Sequence, residues 1–271
     1  MRGITVLSAT MANKQDIPQG KALLKAPLKT AAKTLHKTSD KAKGSKVNRA
    51  WINDHVNDPY VRLAKREGYR ARAAYKLKEI DESFSLIKPG QLVVDLGSTP
   101  GAWSQYLRRK MGSRVSVQAG AASVGVAVGD LNGCIIALDL LPMDPVEGVT
   151  FLLGDMREDA VLAQLSGEMA GRLADVVVSD MAPNLSGIHS ADAARVEHLI
   201  ELAIDFSQAH MKRNGTLVAK VFHGTGYDDL VRLFKANFLV VKPVKPKASR
   251  DKSTETFLVG IGLKALPEAA E

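Results

Sequence analysis

Five short apolar runs separated by helical spacing set the terms for this chain. Gln91–Leu96 (QLVVDL), Cys134–Asp139 (CIIALD), Val149–Leu153 (VTFLL), Asp175–Asp180 (DVVVSD) and Thr216–Phe222 (TLVAKVF) read as strands buried on both faces. Helical periodicity marks Gly68–Leu86, Ser104–Lys110, Arg157–Leu173, Asp192–Met211 and Asp228–Ala236, with Asn214-Gly215 as a stop after the fourth. Such alternation predicts an α/β fold, a mostly parallel, doubly wound sheet with helices on both faces. Phe238–Val244 and Thr254–Ile261 complete seven strands. Only the basic stretch Lys245–Lys252 joins these two, so the last strand is expected to enter antiparallel.

The length of 271 residues suits one such domain, here 47–264, with additions: an N-terminal arm, 1–46, and a tail, 265–271. Residues 1–50 hold 11 Lys and Arg against Asp16 and Asp40, while the whole chain has 37 basic and 29 acidic residues, so 51–271 is left with 26 against 27. The basic character therefore belongs to the arm, which reads both as a solvated, disordered extension and as a phosphate-seeking one. Met11 offers a second possible start, and an organelle transit peptide stays open, whereas the arm lacks the apolar core of a secretory signal. Residues 111–133, rich in Gly, Ala and Val, read as a loose hairpin or insertion. With no long uncharged apolar run and a single cysteine, Cys134, the sequence points away from a membrane span and a disulfide framework, and toward a reducing cytoplasm.

The loop closing the first strand, Gly97-Ser98-Thr99-Pro100-Gly101, occupies the place where open α/β sheets bind ligands. It is neither G-x-G-x-x-G nor a P-loop, which disfavours a pyrophosphate cradle and with it a nicotinamide dehydrogenase. Asp139, Asp155 and Asp180 end the next three strands. Any one of them could be a simple loop or cap aspartate. Together, beside a glycine loop, they favour an adenosine-containing ligand without phosphates, and S-adenosylmethionine fits that description. Lys220 sits inside an apolar strand, where an unpaired ammonium is costly. Glu255 opens the last strand, where an edge position would also explain it, and Lys76 lies on a helix face opposite Ala74 and Leu77. His189, His198, His210 and His223 lack ligand spacing, so no metal site is expected, and no serine-hydrolase elbow is present.

These stretches resemble the FtsJ-type heat-shock methyltransferase family, bacterial enzymes that methylate a ribose 2′-oxygen in large-subunit ribosomal RNA. The likeness rests on Asp58-Pro59-Tyr60-Val61, Arg70-Ala71-Arg72-Ala73-Ala74-Tyr75-Lys76-Leu77, Asp95-Leu96-Gly97 through Trp103-Ser104-Gln105, Asp139-Leu140-Leu141-Pro142-Met143, Ser179-Asp180-Met181-Ala182-Pro183-Asn184 and Lys220-Val221-Phe222. The resemblance implies a Rossmann-like class I S-adenosylmethionine-dependent methyltransferase and a Lys-Asp-Lys-Glu tetrad at Lys76, Asp180, Lys220 and Glu255. It also implies cofactor contacts at Gly101, Trp103, Asp139, Asp155 and Asp180, and a uridine of 23S ribosomal RNA, within the large subunit or its precursor, as substrate. A monomer without metal or membrane attachment is expected. Three features depart from the pattern: Ala102 stands where relatives often have a second glycine, Phe257 where some carry an aromatic hydroxyl, and 111–133 is longer than in compact relatives.

A ribose hydroxyl is a poor nucleophile, so oxygen, carbon and sulfur must be aligned and a proton removed. Lys220 is the candidate base or proton-positioning group, Lys76 would orient the hydroxyl or a phosphate, and Glu255 would hold the lysines in register. Arg62, Lys65, Arg66, Arg70, Arg72, Lys76 and Lys78, with Lys242, Lys245, Lys247, Arg250 and Lys252, would line a phosphate-binding cleft. Tyr60, Tyr69 and Tyr75 could stack bases or pack in the core. The alternatives are a ribose methyltransferase acting on transfer RNA and a non-catalytic RNA-binding assembly factor of the same fold.

Overall fold

The computed structural model describes residues 57–113, 129–184 and 186–265. The arm, most of 111–133 and the tail beyond 265 lie outside them. Helices α1 (Pro59–Glu67) and α2 (Ala73–Phe84) precede β1 (Leu92–Leu96), α3 (Ala102–Met111), β2 (Cys134–Asp139), β3 (Val149–Leu153) and α4 (Asp159–Glu168). Then come β4 (Ala174–Ser179), α5 (His189–His210), β5 (Met211–Phe222), α6 (Tyr227–Asn237), β6 (Phe238–Val244) and β7 (Glu255–Leu263). The seven strands run in the order β3-β2-β1-β4-β5-β7-β6. β1 to β5 pair in parallel, and β7 is antiparallel to both β5 and β6, between which it is inserted.

Alternate residues of each central strand serve opposite cores, which is why the runs read as continuously apolar. Val93, Val176, Val178 and Val218 meet Leu77 and Ile80 of α2 and Trp103 and Leu107 of α3. Val94, Val177, Leu217 and Ala219 meet Leu165 of α4, Ile200 and Ile204 of α5 and Phe234 of α6.

Local chemistry explains where element ends differ from expectation. Gly68 is not inside a helix. Asp58 caps α1 by accepting from the Tyr60 and Val61 amides at 2.9 and 3.3 Å, and Gly68 closes it in the left-handed conformation. The helix expected over Arg157–Leu173 is confined to α4, and the chain beyond it turns through Ala170 and Gly171, both at positive φ. Asn214-Gly215 does not stop a helix. α5 passes directly into β5 at Met211, and the β4–β5 register jumps from Ala174↔Met211 to Val176↔Thr216, leaving Asn214 and Gly215 in the irregularity. At the base of the insertion Gly112 bridges Leu131 antiparallel, with Ser113 N–H donating to Asp130 O.

Candidate active site

The sheet's winding reverses between β1 and β4, and a cavity of roughly 620 Å³ lies beyond their carboxyl ends. Gly97, Thr99, Asp139, Asp155 and Asp180 line it. Gly97 is required twice over. Its φ is +75°, and a Cβ there would stand 2.8–2.9 Å from Met181. Asp139 knits two walls together, accepting from Thr99 N–H on one oxygen and Leu141 N–H on the other, both at 2.8 Å. Each carboxylate oxygen keeps a further lone pair, so a ribose diol can still be received. Asp155 is committed differently: Arg157 Nε lies 2.9 Å from both of its oxygens. The hydrogen bond from Arg157 holds the Asp155 carboxyl below its usual range.

Of the expected cofactor contacts, Gly101 and Trp103 do not line this cavity. Gly101 is the left-handed N-cap of α3. The Trp103 side chain is buried, donates Nε1–H to Ala73 O at 2.8 Å and packs on Phe257. What Trp103 can offer a ligand is its backbone N–H, which in the first turn of α3 has no intrahelical acceptor.

The donor set fits a cationic, phosphate-free nucleoside. Asp95 is fully buried beneath the loop, with Oδ2 accepting from Ser104 Oγ at 2.7 Å and Oδ1 without a partner. Burial pushes its carboxyl up to about 7, with the charges of Asp180 and Asp139 adding to the shift. The lining carboxyls Asp139, Asp155 and Asp180 suit an ammonium or a sulfonium and oppose a pyrophosphate. The cavity's arginines are already paired, Arg157 with Asp155 and Arg195 with Asp192 and the Asn184 carbonyl. S-adenosylmethionine fits this description.

Asp180 also begins the second constellation. Lys220 Nζ lies 3.0 Å from Asp180 Oδ1, an ion pair whose angle leaves that oxygen without a hydrogen bond, and it donates to the Asp180 carbonyl at 2.5 Å. Pairing thus answers the expected cost of this buried lysine. In the β5–β7 ladder Lys220 faces Phe257 and Phe222 faces Glu255. The period of two therefore puts Lys220 and Glu255 on one face, the face that α2 covers. From α2 Lys76 descends and donates to Glu255 Oε2 at 2.7 Å. Burial alone would raise the Glu255 carboxyl. The charge and hydrogen bond of Lys76, a hydrogen bond from Ser249 Oγ and the Lys220 charge outweigh it and hold the carboxyl low. The four expected residues thus form two ion pairs, Asp180–Lys220 at the cavity wall and Glu255–Lys76 beside it, close enough for the Lys220 charge to act on Glu255. Glu255 sits on an interior strand, not at a sheet edge. Ser249, which the sequence reading passed over inside the basic stretch, is buried and completes the glutamate's shell.

The two basic stretches are joined in space. Ala248 packs with Ala64 and Tyr75, and Asp58 receives both Arg72 and Arg250. Arg62, Lys65, Arg66, Lys242, Lys245, Lys247, Arg250 and Lys252 are exposed around this junction. Arg70 and Arg72 are not free to meet phosphate, because backbone carbonyls and Asp58 occupy them. The tyrosines pack together: Tyr75 lies 5.6 Å from Tyr60 and 5.5 Å from Tyr69, and the Tyr60 and Tyr75 hydroxyls donate to Glu79 and Glu67. Burial and its Glu79 hydrogen bond push the Tyr60 hydroxyl up to about 12. Among the described residues no cluster of His, Cys, Asp and Glu could hold a metal, and no helix is long and apolar enough to cross a membrane.

Known proteins are similar to this chain. The chain is 73% identical over 227 residues to a ribosomal RNA large subunit methyltransferase E of Variovorax paradoxus, covering 84% of this chain and 98% of that protein. It is 72% identical over 222 residues to the protein of that name in Albidiferax ferrireducens, covering 82% and 97%. A Plasmodium falciparum structure assigned as a ribosomal RNA methyltransferase superposes with a TM-score of 0.59 at 25% identity, over 72% of this chain and 98% of the other. The family model of the FtsJ-like methyltransferases matches residues 69–263, and the chain belongs to that family.

Proposed function

We propose that this protein transfers a methyl group from S-adenosylmethionine to the 2′-hydroxyl of a uridine in 23S ribosomal RNA. We read it as a cytoplasmic monomer acting on the large subunit or its precursor. The observation that carries this reading is the placement of two ion pairs, Asp180–Lys220 and Lys76–Glu255, on one face of the sheet behind the cavity wall that Asp180 lines. Asp139 and Asp155 would receive the nucleoside, and the α3 N-terminus at Gly101 to Trp103 the amino-acid end. Bound there, S-adenosylmethionine supplies a methyl already activated by its sulfonium.

The chain's own task is to orient the hydroxyl and relieve it of its proton. Lys220 Nζ, held by Asp180 of the cavity wall, takes or positions that proton. It accepts the proton only when neutral. Lys76 directs the sugar or its phosphate, and Glu255 fixes both ammonium groups. The exposed cations around Asp58 and Ala248 receive the RNA backbone, and the basic arm, 1–46, extends that attraction.

Mass-spectrometric mapping of ribose methylation in cells with and without this protein tests the assignment. The expected difference is one 2′-O-methyluridine in 23S ribosomal RNA. A missing methyl in transfer RNA would move the substrate. No missing methyl in any RNA would favour an assembly factor without catalysis.

A further inference from the structure

Arg70 stands among the basic residues that the sequence offers to RNA, yet its guanidinium faces three backbone carbonyls. Nη1 donates to Pro100 O at 3.0 Å and to Asp144 O at 2.6 Å, and Nη2 donates to Pro145 O at 2.8 Å. Pro100 belongs to the loop after β1, and Asp144 and Pro145 to the loop after β2. These loops also carry Thr99 and Leu141 of the cavity wall. The fit is tight: a Cβ on Gly101 would lie 2.5 Å from Arg70 Nη1 and 2.9 Å from Met143 Sδ. The backbone beneath Arg70 is fastened as well. Its N–H donates to Gln105 Oε1 at 2.8 Å, and Arg109 stacks on Tyr69, 4.0 Å from the ring centroid. Six residues further on, α2 delivers Lys76 to Glu255.

We propose that Arg70 is a positioning residue that clamps the two cofactor loops together, and that it does not contact RNA. The proposal rests on reading the cavity as the S-adenosylmethionine site. A planar fork bridges three fixed carbonyls, and a lysine ammonium on a flexible stem cannot reproduce that geometry although it keeps the charge. Clamp and phosphate contact therefore respond oppositely to Arg70→Lys. Loss of charge-assisted hydrogen bonds to the loops is expected to weaken cofactor affinity about tenfold or more.

Calorimetric titration of S-adenosylmethionine and S-adenosylhomocysteine into wild type, Arg70→Lys and Arg70→Met tests this. Filter binding of unmethylated large ribosomal subunits across a salt series, on the same proteins, is the second arm. The expected result is weaker cofactor binding in both variants, with the salt slope for subunits unchanged. If Arg70→Met fails to fold, Arg70→Lys alone carries the comparison. Cofactor affinity equal to wild type in Arg70→Lys overturns the clamp. So does a salt slope reduced by about one in Arg70→Met and restored in Arg70→Lys, which is the mark of a phosphate contact. A wild type that binds no S-adenosylmethionine overturns instead the cavity reading beneath it.

Discussion

Lys220 and Asp95 show how one parallel sheet handles buried charge in two ways. Lys220 is paired through Asp180, so removing its amine leaves a partly buried carboxylate without a counter-ion. Lys220→Ala is expected to slow methyl transfer by roughly 10²–10⁴-fold, the usual range for a general base, in single-turnover assays. Asp95 is unpaired on one oxygen, and its carboxyl is raised to about 7. Between the ordinary carboxyl range and that value, the folded state binds more protons than the unfolded state. The Asp95 contribution to stability is therefore greatest below the unfolded value and is lost as pH rises toward 7. Asp95→Asn is expected to flatten that part of the stability–pH curve, as denaturant titrations would record. An unchanged slope would mean that the carboxyl is ionised throughout.

At the scale of elements, the crossing of the β1 and β4 loops leaves no room for a side chain at Gly97. Gly97→Ala combines a strained positive φ with a collision on the Met181 backbone, so cofactor affinity and melting temperature are expected to fall together. On the other face, buried Asp81 accepts from Ile87 N–H at 2.7 Å and Tyr106 OH at 2.6 Å and pairs with Lys110. Asp81→Ala is expected to cost roughly 2–3 kcal/mol by chemical denaturation, because a buried hydroxyl and amide lose their acceptor. The central strands were legible because parallel strands buried on both faces carry unbroken apolar runs, and β2 and β3 match to the residue. The junction of α5 with β5 was not. Nothing breaks the chain at Met211, and Asn214-Gly215 imitates a helix stop while forming a β irregularity. α1 escaped the periodicity reading because it spans only Pro59–Glu67 and signals itself by its caps, Asp58 and Gly68. Lys76, Asp180, Lys220 and Glu255 were joined as a tetrad only through the family resemblance, since spacing along the chain does not reveal that Lys76 and Glu255 meet. Arg70 and Arg72 read only as phosphate-seeking cations because a sequence displays donors and hides the acceptors, here backbone carbonyls and Asp58, that fold against them.

For the whole molecule, the exposed cations gather at one junction, the proposed RNA face, only because the β6–β7 connection docks on α1 and α2 through Ala248, Asp58 and Glu79. Affinity for large subunits is expected to fall steeply with salt, and Lys245→Ala or Lys247→Ala to lower the slope by about one each without changing the methylated nucleotide. A salt-independent affinity would place the RNA elsewhere. α2 and the β6–β7 connection meet at Glu255 through Lys76 and Ser249, and the proposed function requires this pair and Lys220–Asp180 to act at a single sugar oxygen. Its most direct test is single-turnover transfer of labelled methyl to unmethylated large subunits by wild type and Lys220→Ala, with S-adenosylmethionine affinity measured on both. The expected result is a 2′-O-methyluridine formed by wild type and nearly absent with the variant while both bind the cofactor. Transfer at the wild-type rate by Lys220→Ala, or a methyl on a base atom, would contradict it.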